Sequence, residues 1–383
     1  MVEGVFILMK DTIMRQAALV VPAPLLPILA AVVSSTAILV FAPVTMMFLT
    51  WFERKIVARF QDRLGPNRVG PFGLLQPIAD GIKMILKEDI IPVGADRWVH
   101  HLTPVLAVVP VLALFLVLPF GRGMVAADLN VGVLFFLGVS GVQTPLVIAA
   151  GWGSHSKFSV LGSMRAAAQI LSYELPMVLV IVAVVMASGS MSTSAIVDAQ
   201  ASGWYVLTPW GAAGALIFLL AATAESNRTP FDMAEAESEL VAGFHTEYTG
   251  FKFALFQMAE FLSAFAAGGL AVTVFFGGWH GPAFLPSWAW FVLKMYAVFF
   301  VLVWFRATLP RFRIDQLLAV AWKFLFPMSL LVIASAAAWT VLDRVPALIV
   351  SLVLLLGGWW LGSAVLLREF AAMNKPRSFA RAG

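Results

Sequence analysis

Apolar residues in this chain gather into long runs separated by short polar or charged stretches. A helix needs about 20 mostly apolar residues to cross a bilayer. Nine stretches reach that length: 25–52, 101–120, 131–151, 164–187, 204–224, 253–276, 287–305, 324–342 and 346–367. The pattern predicts an all-α, polytopic membrane helix bundle. No internal repeat of the kind that builds inverted-repeat transporters is present.

One connection differs from the rest. After the Gly- and Pro-rich break GPNRVGPFG at 65–73, Leu75, Ile78, Ala79, Ile82, Ile85 and Leu86 recur at helical spacing. Gln76, Asp80, Lys83 and Lys87 fall on the opposite face. This predicts an amphipathic helix lying on the membrane surface, packed against a partner subunit, or both.

Composition agrees with a membrane protein. Hydrophobic residues make up 61% of the 383 residues and charged residues 12%, against about 45–50% and 25% in soluble domains. With no cysteine, this chain has no disulfide, cysteine-ligated iron–sulfur cluster or thiol nucleophile of its own. No HxxxH or HExxH pair supports a zinc site, and no glycine-rich phosphate motif supports nucleotide binding. Residues 1–16 carry Glu3, Lys10, Asp11 and Arg15 rather than the apolar core of a cleaved signal.

Charge sets the orientation. The 53–100 connection holds eight Lys and Arg residues. The connections at 152–165 and 225–252 hold two each, and the 306–323 connection and the C-terminal tail hold four each. One side therefore carries 20 of the 25 basic residues. The positive-inside rule makes it the cytoplasmic side of a bacterial inner membrane. A net charge of +4 thus reflects topology and gives no support to nucleic-acid binding.

The acids hold the candidate chemistry. Glu174, in SYELP, lies ten residues into the 164–187 run, about 15 Å deep. An ionisable group at mid-span costs at least about 2.5–3.5 kcal/mol on insertion scales. This favours a proton or ion pathway over a static hydrogen-bond network. Pro176 follows and can kink the helix, and Tyr173 is a local partner for the carboxyl. Glu260, in FQMAEFL, repeats the argument about 10 Å deep. Glu225 ends the 204–224 run, where a helix C-terminus disfavours an anion.

Residues 224–240 read AESNRTPFDMAEAESEL. Thr229-Pro230-Phe231-Asp232 predicts a helix start, with Thr229 as N-cap and Pro230 in first position. On that helix Asp232, Glu235 and Glu239 share a face and Glu237 points elsewhere. The sequence leaves open whether the face is solvated, or buried so that mutual repulsion moves the acids toward neutral pKa values.

The two long motifs LTWFERKIVARFQDRLGPNRVGPFGLLQPIADGIKMILKEDIIP (49–92) and AESNRTPFDMAEAESELVAGFHTEYTGFKFALFQMAEF (224–261) resemble a known family, as do RAAAQILSYELP (165–176) and RATLPRFRIDQLLAVAWKFLFPMSL (306–330). It is the family of the bacterial H subunit (subunit 1 in mitochondria) of the proton-pumping NADH:quinone oxidoreductase, respiratory complex I.

The resemblance implies a membrane subunit that anchors a peripheral redox arm, forms much of a quinone chamber, and starts a chain of acids toward further membrane-arm subunits. Flavin, iron–sulfur clusters and NADH binding then belong to partner chains. Quinone is the substrate, and this chain binds no cofactor of its own. Arg54, Arg63 and Phe261 are implied at the quinone passage, and Glu174, Glu225, Asp232, Glu235, Glu237 and Glu260 in the proton pathway.

Eight spans are typical of the family. The run at 346–367 is a ninth, with Gly358 and Gly362 spaced to pack on a neighbour. The chain divides into an extension over 1–24, a membrane-embedded domain over 25–342, and an extra helix with a basic tail over 343–383. Two other functions compete: the equivalent subunit of an energy-converting membrane hydrogenase, and an independent proton or ion carrier. The long first connection favours a docking subunit over a carrier.

Overall fold

Hydrocarbon offers no hydrogen bonds, so a spanning backbone must satisfy its own polar groups, which a helix does. The computed structural model describes residues 12, 15–16, 22, 25–233, 241–282 and 284–373, and among them there are helices and turns but no strand beyond one isolated bridge between Gly121 and Met124.

In chain order the main helices are α1 (Leu26–Phe60), α2 (Gln76–Leu86), α3 (Arg97–Leu114), α4 (Gly132–Ser140), α5 (Gln143–Gly153), α6 (Lys157–Ser188), α7 (Thr193–Ala199), α8 (Pro209–Glu225), α9 (Gly250–Val274) and α10 (Ser287–Thr308). They are followed by α11 (Ile314–Val320), α12 (Phe326–Val341) and α13 (Arg344–Met373). Eight helical stretches among the described residues are long and apolar enough to cross a membrane; α4–α5 and α11–α12 each count as one. With the shorter apolar helix α8 they account for the nine runs seen in the sequence. The protein is a multi-pass membrane helix bundle.

Local chemistry shifts several boundaries. The run beginning at 204 opens with a 3₁₀ turn, Tyr205–Leu207, and becomes α-helical only at Pro209, where the Thr208 side chain caps the helix by accepting from the Gly211 amide at 3.2 Å. Pro209 supplies the fixed φ that suits a first position. Asp96 caps α3 by accepting from the Trp98 and Val99 amides, so that helix begins before the apolar run does. The last family-type span begins at Ile314 and passes through a π-helical turn, Ala321–Leu325, before α12. Pro327 has no amide hydrogen to continue the α ladder, which accounts for the shifted register there.

The core lies between α9, α6, α8 and α10. Most of the spanning part of α9 is buried inside the protein (72%), against 11% for α13. Helix α13 folds back on α12, and the Gly358 and Gly362 face meets Leu331 and Phe324 of this same chain. Helix α2 packs against α1 and α9. It leaves Ile78, Ile82, Ile85 and Leu86 between 45% and 80% exposed, the outward apolar face that the periodicity predicts.

Candidate functional site

Four groups of polar residues sit at or beneath the side of the bundle that carries the basic connections. The outermost joins α1 to the surface helix. Arg54, near the end of α1, donates to Asp80 of α2 at 2.5 Å, and Gln76 donates to the same carboxylate at 3.2 Å. Partial burial pushes the Asp80 pKa up, but the hydrogen bonds from Arg54 and Gln76 and the charge of Arg54 hold it below the usual value. Arg63 is exposed and bonds to Gln61 two residues away, at 2.7 Å.

One residue before Arg54, Glu53 points the other way, into the bundle, where it is 5% exposed. Arg228 donates to its Oε2 at 2.5 Å, and Arg306 of α10 to its Oε1. The Arg228 side chain is fully buried. Its guanidinium lies 4.6 Å from the Phe261 ring centre and 4.9 Å from that of Phe299. Among the described residues the Nε and Nη2 atoms of Arg228 have no hydrogen-bond partner; the aromatic faces supply attraction there. Arg311 pairs with Asp232 at 3.3 Å beside this cluster.

The third group is a narrow cavity of about 50 Å³ between α5, α6, α8 and α9. Glu225 and Glu260 both line it, with Gln143, Asn227, His245 and Gln257. That volume exceeds the roughly 10–15 Å³ that one water needs. Glu225 is within hydrogen-bond reach of Ser140 and electrostatic reach of Glu174. The Glu174 carboxyl abuts Gly141, where a Cβ would lie only 3.0 Å from its Oε1. Glu260 is within electrostatic reach of Arg228, Arg306, Glu53 and Asp232. Among the described residues Glu174, Glu225 and Glu260 form no ion pair with a cation.

The fourth group ties the connections to the bundle. Lys252 pairs with Asp89 at 2.8 Å and donates to His100 Nδ1 at 3.3 Å. His100 stacks on Tyr248, with centroids 4.1 Å apart. Burial raises the Tyr248 hydroxyl pKa to about 12.

Residues 7–337 match the family described as NADH dehydrogenase. This chain belongs to that family. The match ends before α13 begins. Among similar proteins, the NADH-quinone oxidoreductase H subunit of Dehalococcoides mccartyi (strain CBDB1) is 51% identical over 290 residues, 76% of this chain and 81% of that one. The corresponding H subunit of Geobacillus kaustophilus is 50% identical over 77% of this chain and 91% of its own length. An H subunit of Rhodopseudomonas palustris is 50% identical over 79% and 94%.

Several expectations change with the structure of this family member. No helix starts at Pro230 among the described residues: Thr229 and Pro230 lie in a turn and Phe231 in a bend, so Thr229 is not the N-cap of a helix there. Asp232 faces Arg311. Glu235, Glu237 and Glu239, and the shared acidic face expected of them, lie outside the described residues. Tyr173 does not partner Glu174; its hydroxyl donates to the Leu317 carbonyl at 2.9 Å.

Sequence reasoning missed Glu53, because its partners lie 175 and 253 residues away. It also missed His245, whose place in the cavity depends on four separate helices. The one signal at Glu53 was an acid among cations at the end of an apolar run, in WFERK.

Proposed function

We propose that this chain is the membrane subunit of a bacterial NADH:quinone oxidoreductase, seated in the inner membrane with its basic connections in the cytoplasm. It anchors a peripheral redox arm, forms much of the quinone chamber, and couples quinone reduction to proton movement through buried acids. The observation that carries this reading is the cavity joining Glu225 and Glu260. Glu174 lies beyond Glu225, and the Glu53–Arg228–Arg306 cluster lies beside Glu260.

Each part has a distinct task. Arg54, Arg63 and Phe261 line the quinone passage. The α2 helix, with its outward Ile78, Ile82 and Ile85, rests on lipid at the mouth of that passage and docks the peripheral subunits. An independent carrier has no use for such a surface, and this favours the subunit reading. Glu260, Glu225 and Glu174 pass protons inward from the chamber, with Asp232, Glu235 and Glu237 at its cytoplasmic edge.

Flavin and iron–sulfur clusters sit in partner chains, which supply electrons that a chain without cysteine does not carry. Residues 25–342 form the quinone-chamber domain. The α13 segment, with its basic tail, is an added helix that returns the C-terminus to the cytoplasm.

The test is Glu260→Gln and Glu225→Gln in the assembled complex. Gln keeps shape and polarity but binds no proton. Quinone reduction coupled to proton uptake in proteoliposomes should fall by about 10²-fold, the lower end of what a positioned proton-transfer group contributes. NADH oxidation by ferricyanide should persist. Wild-type pumping in both variants would remove these acids from the path.

A further inference from the structure

The cavity that joins Glu225 and Glu260 is also lined by His245. This residue ends a short 3₁₀ turn, Gly243–His245, and is 6% exposed. The turn is held firmly in place. Gly243 has a φ of 62°, in the region that favours glycine. Gly162 of α6 presses against it so closely that a Cβ there would lie 2.7 Å from the Gly243 Cα. Ser159 donates to the Phe244 carbonyl at 2.8 Å, and the Tyr248 amide to the His245 carbonyl at 3.0 Å. The imidazole is fixed edge-on between Phe244 and Phe253, with centroids at 4.8 and 5.3 Å.

The other polar residues of the lining do not take up a proton near neutral pH. Gln143 is committed to the Ala107 carbonyl at 2.9 Å, and Asn227 accepts from Gln169 at 3.3 Å. Amides and hydroxyls donate and accept hydrogen bonds without ionising in this range. Among the described residues, Glu225, Glu260 and His245 are the titratable groups of the lining.

We infer that His245 is a proton-relaying residue of this cavity, passing protons between Glu260 and Glu225 through its imidazole and cavity water. The inference rests on the proton-linked reading of the site. A neutral imidazole carries one N–H and one bare nitrogen. A proton leaving the Glu260 carboxyl enters the bare nitrogen, and the proton on the other nitrogen leaves for the Glu225 carboxylate. The ring ends neutral with its tautomer exchanged, and proton exchange through cavity water resets it while the ring stays in place. Burial lowers the His245 pKa to about 4, so the resting ring is the neutral form, which accepts and donates at once. Among the described residues, the charged groups around the path are Glu174 beside Glu225, and Arg228, Arg306, Glu53 and Asp232 around Glu260.

The experiment compares His245→Gln and His245→Ala in the assembled complex, with assembly checked on native gels. Coupled quinone reduction and proton uptake should fall roughly tenfold in both, a modest share of what proton-transfer groups contribute because water still bridges part of the path. Ferricyanide reduction should be unchanged. Added imidazole should restore turnover several-fold in His245→Ala, where the missing ring leaves room, and not in His245→Gln.

Wild-type pumping in His245→Gln would overturn the relay, as would a His245→Ala complex that imidazole does not revive. Failure of both variants to assemble would assign His245 to packing instead. A silent Glu260→Gln with a normal His245→Gln sinks the relay alone, whereas a normal Glu260→Gln sinks the acid path itself.

Discussion

Two carboxylates on neighbouring helices have opposite surroundings. Glu53 is held by two guanidinium groups, one of which, that of Arg228, packs against two aromatic rings. Glu260 looks into a cavity lined by a second acid and, among the described residues, by no Lys or Arg; Arg228 and Arg306 reach it only electrostatically. A carboxylate held by two cations stays ionised and acts as a structural part. A carboxyl facing water and another acid can change its charge without breaking an ion pair. The same residue type thus serves as a fixed brace in one place and a transfer point a short distance away, and the neighbours make the difference.

The largest way to break the comparison is at the brace. Glu53→Ala leaves Arg228 buried without its counter-ion and should destabilise the assembled protein by about 3–5 kcal/mol. Thermal unfolding in detergent would read this as a large fall in Tm. Converting the buried pair together, Glu53→Leu with Arg228→Met, should recover much of the loss. A Glu53→Ala protein as stable as the parent would mean that the cluster braces nothing.

A smaller effect is expected from acid at the cavity. The His245 pKa is about 4 in the folded chain and about 6.5 when unfolded. The fold favours the neutral ring, so this contribution is fully present above about 6.5 and drains away as pH falls toward 4. His245→Gln should flatten that part of the stability-versus-pH curve. An unchanged slope between those two values would show that the ring is not shielded.

The smallest effect belongs to the surface tether. Asp80→Asn removes the Arg54–Asp80 pair, whose arginine is half exposed, and should cost less than about 1 kcal/mol. The depressed Asp80 pKa gives the pair its stabilising contribution above the ordinary carboxylate pKa, and the contribution is lost as pH falls below it. Proteolysis of the 61–75 connection would report any loosening of α2 from α1.

Much of this architecture was legible in the sequence, because hydrocarbon demands about 20 apolar residues per crossing and the chain supplies nine such runs. The amphipathic stretch at 75–86 likewise names its own faces. Boundaries were less legible, since the Thr208 cap and the Pro327 register shift are matters of one or two atoms. The deep acids Glu174 and Glu260 stood out because a charge at that depth is costly, and Glu225 because a helix C-terminus disfavours an anion. Their neighbours did not: the cavity is assembled from α5, α6, α8 and α9, and no local pattern states which side chains will meet. The turn at 229–230 misled for a related reason. Thr-Pro-x-Asp carries helix-start chemistry, but burial of Phe231 against Tyr173 and Phe312 holds the backbone in a turn.

Helix α8 has 17 residues, which gives it a length of about 26 Å. The hydrocarbon layer is about 30 Å thick, and a span this short ordinarily thins the lipid around it. Here α6, α9, α12 and α13 surround α8, and α6 alone runs for 32 residues. Its ends are therefore walled by protein, and the bilayer need not deform. Electrically, this makes α8 a thin spot in the insulator. A transmembrane voltage does about 2.3 kcal/mol of work per unit charge per 100 mV. Over a shorter path the same voltage gives a steeper gradient, and Glu225 sits at the end of that path.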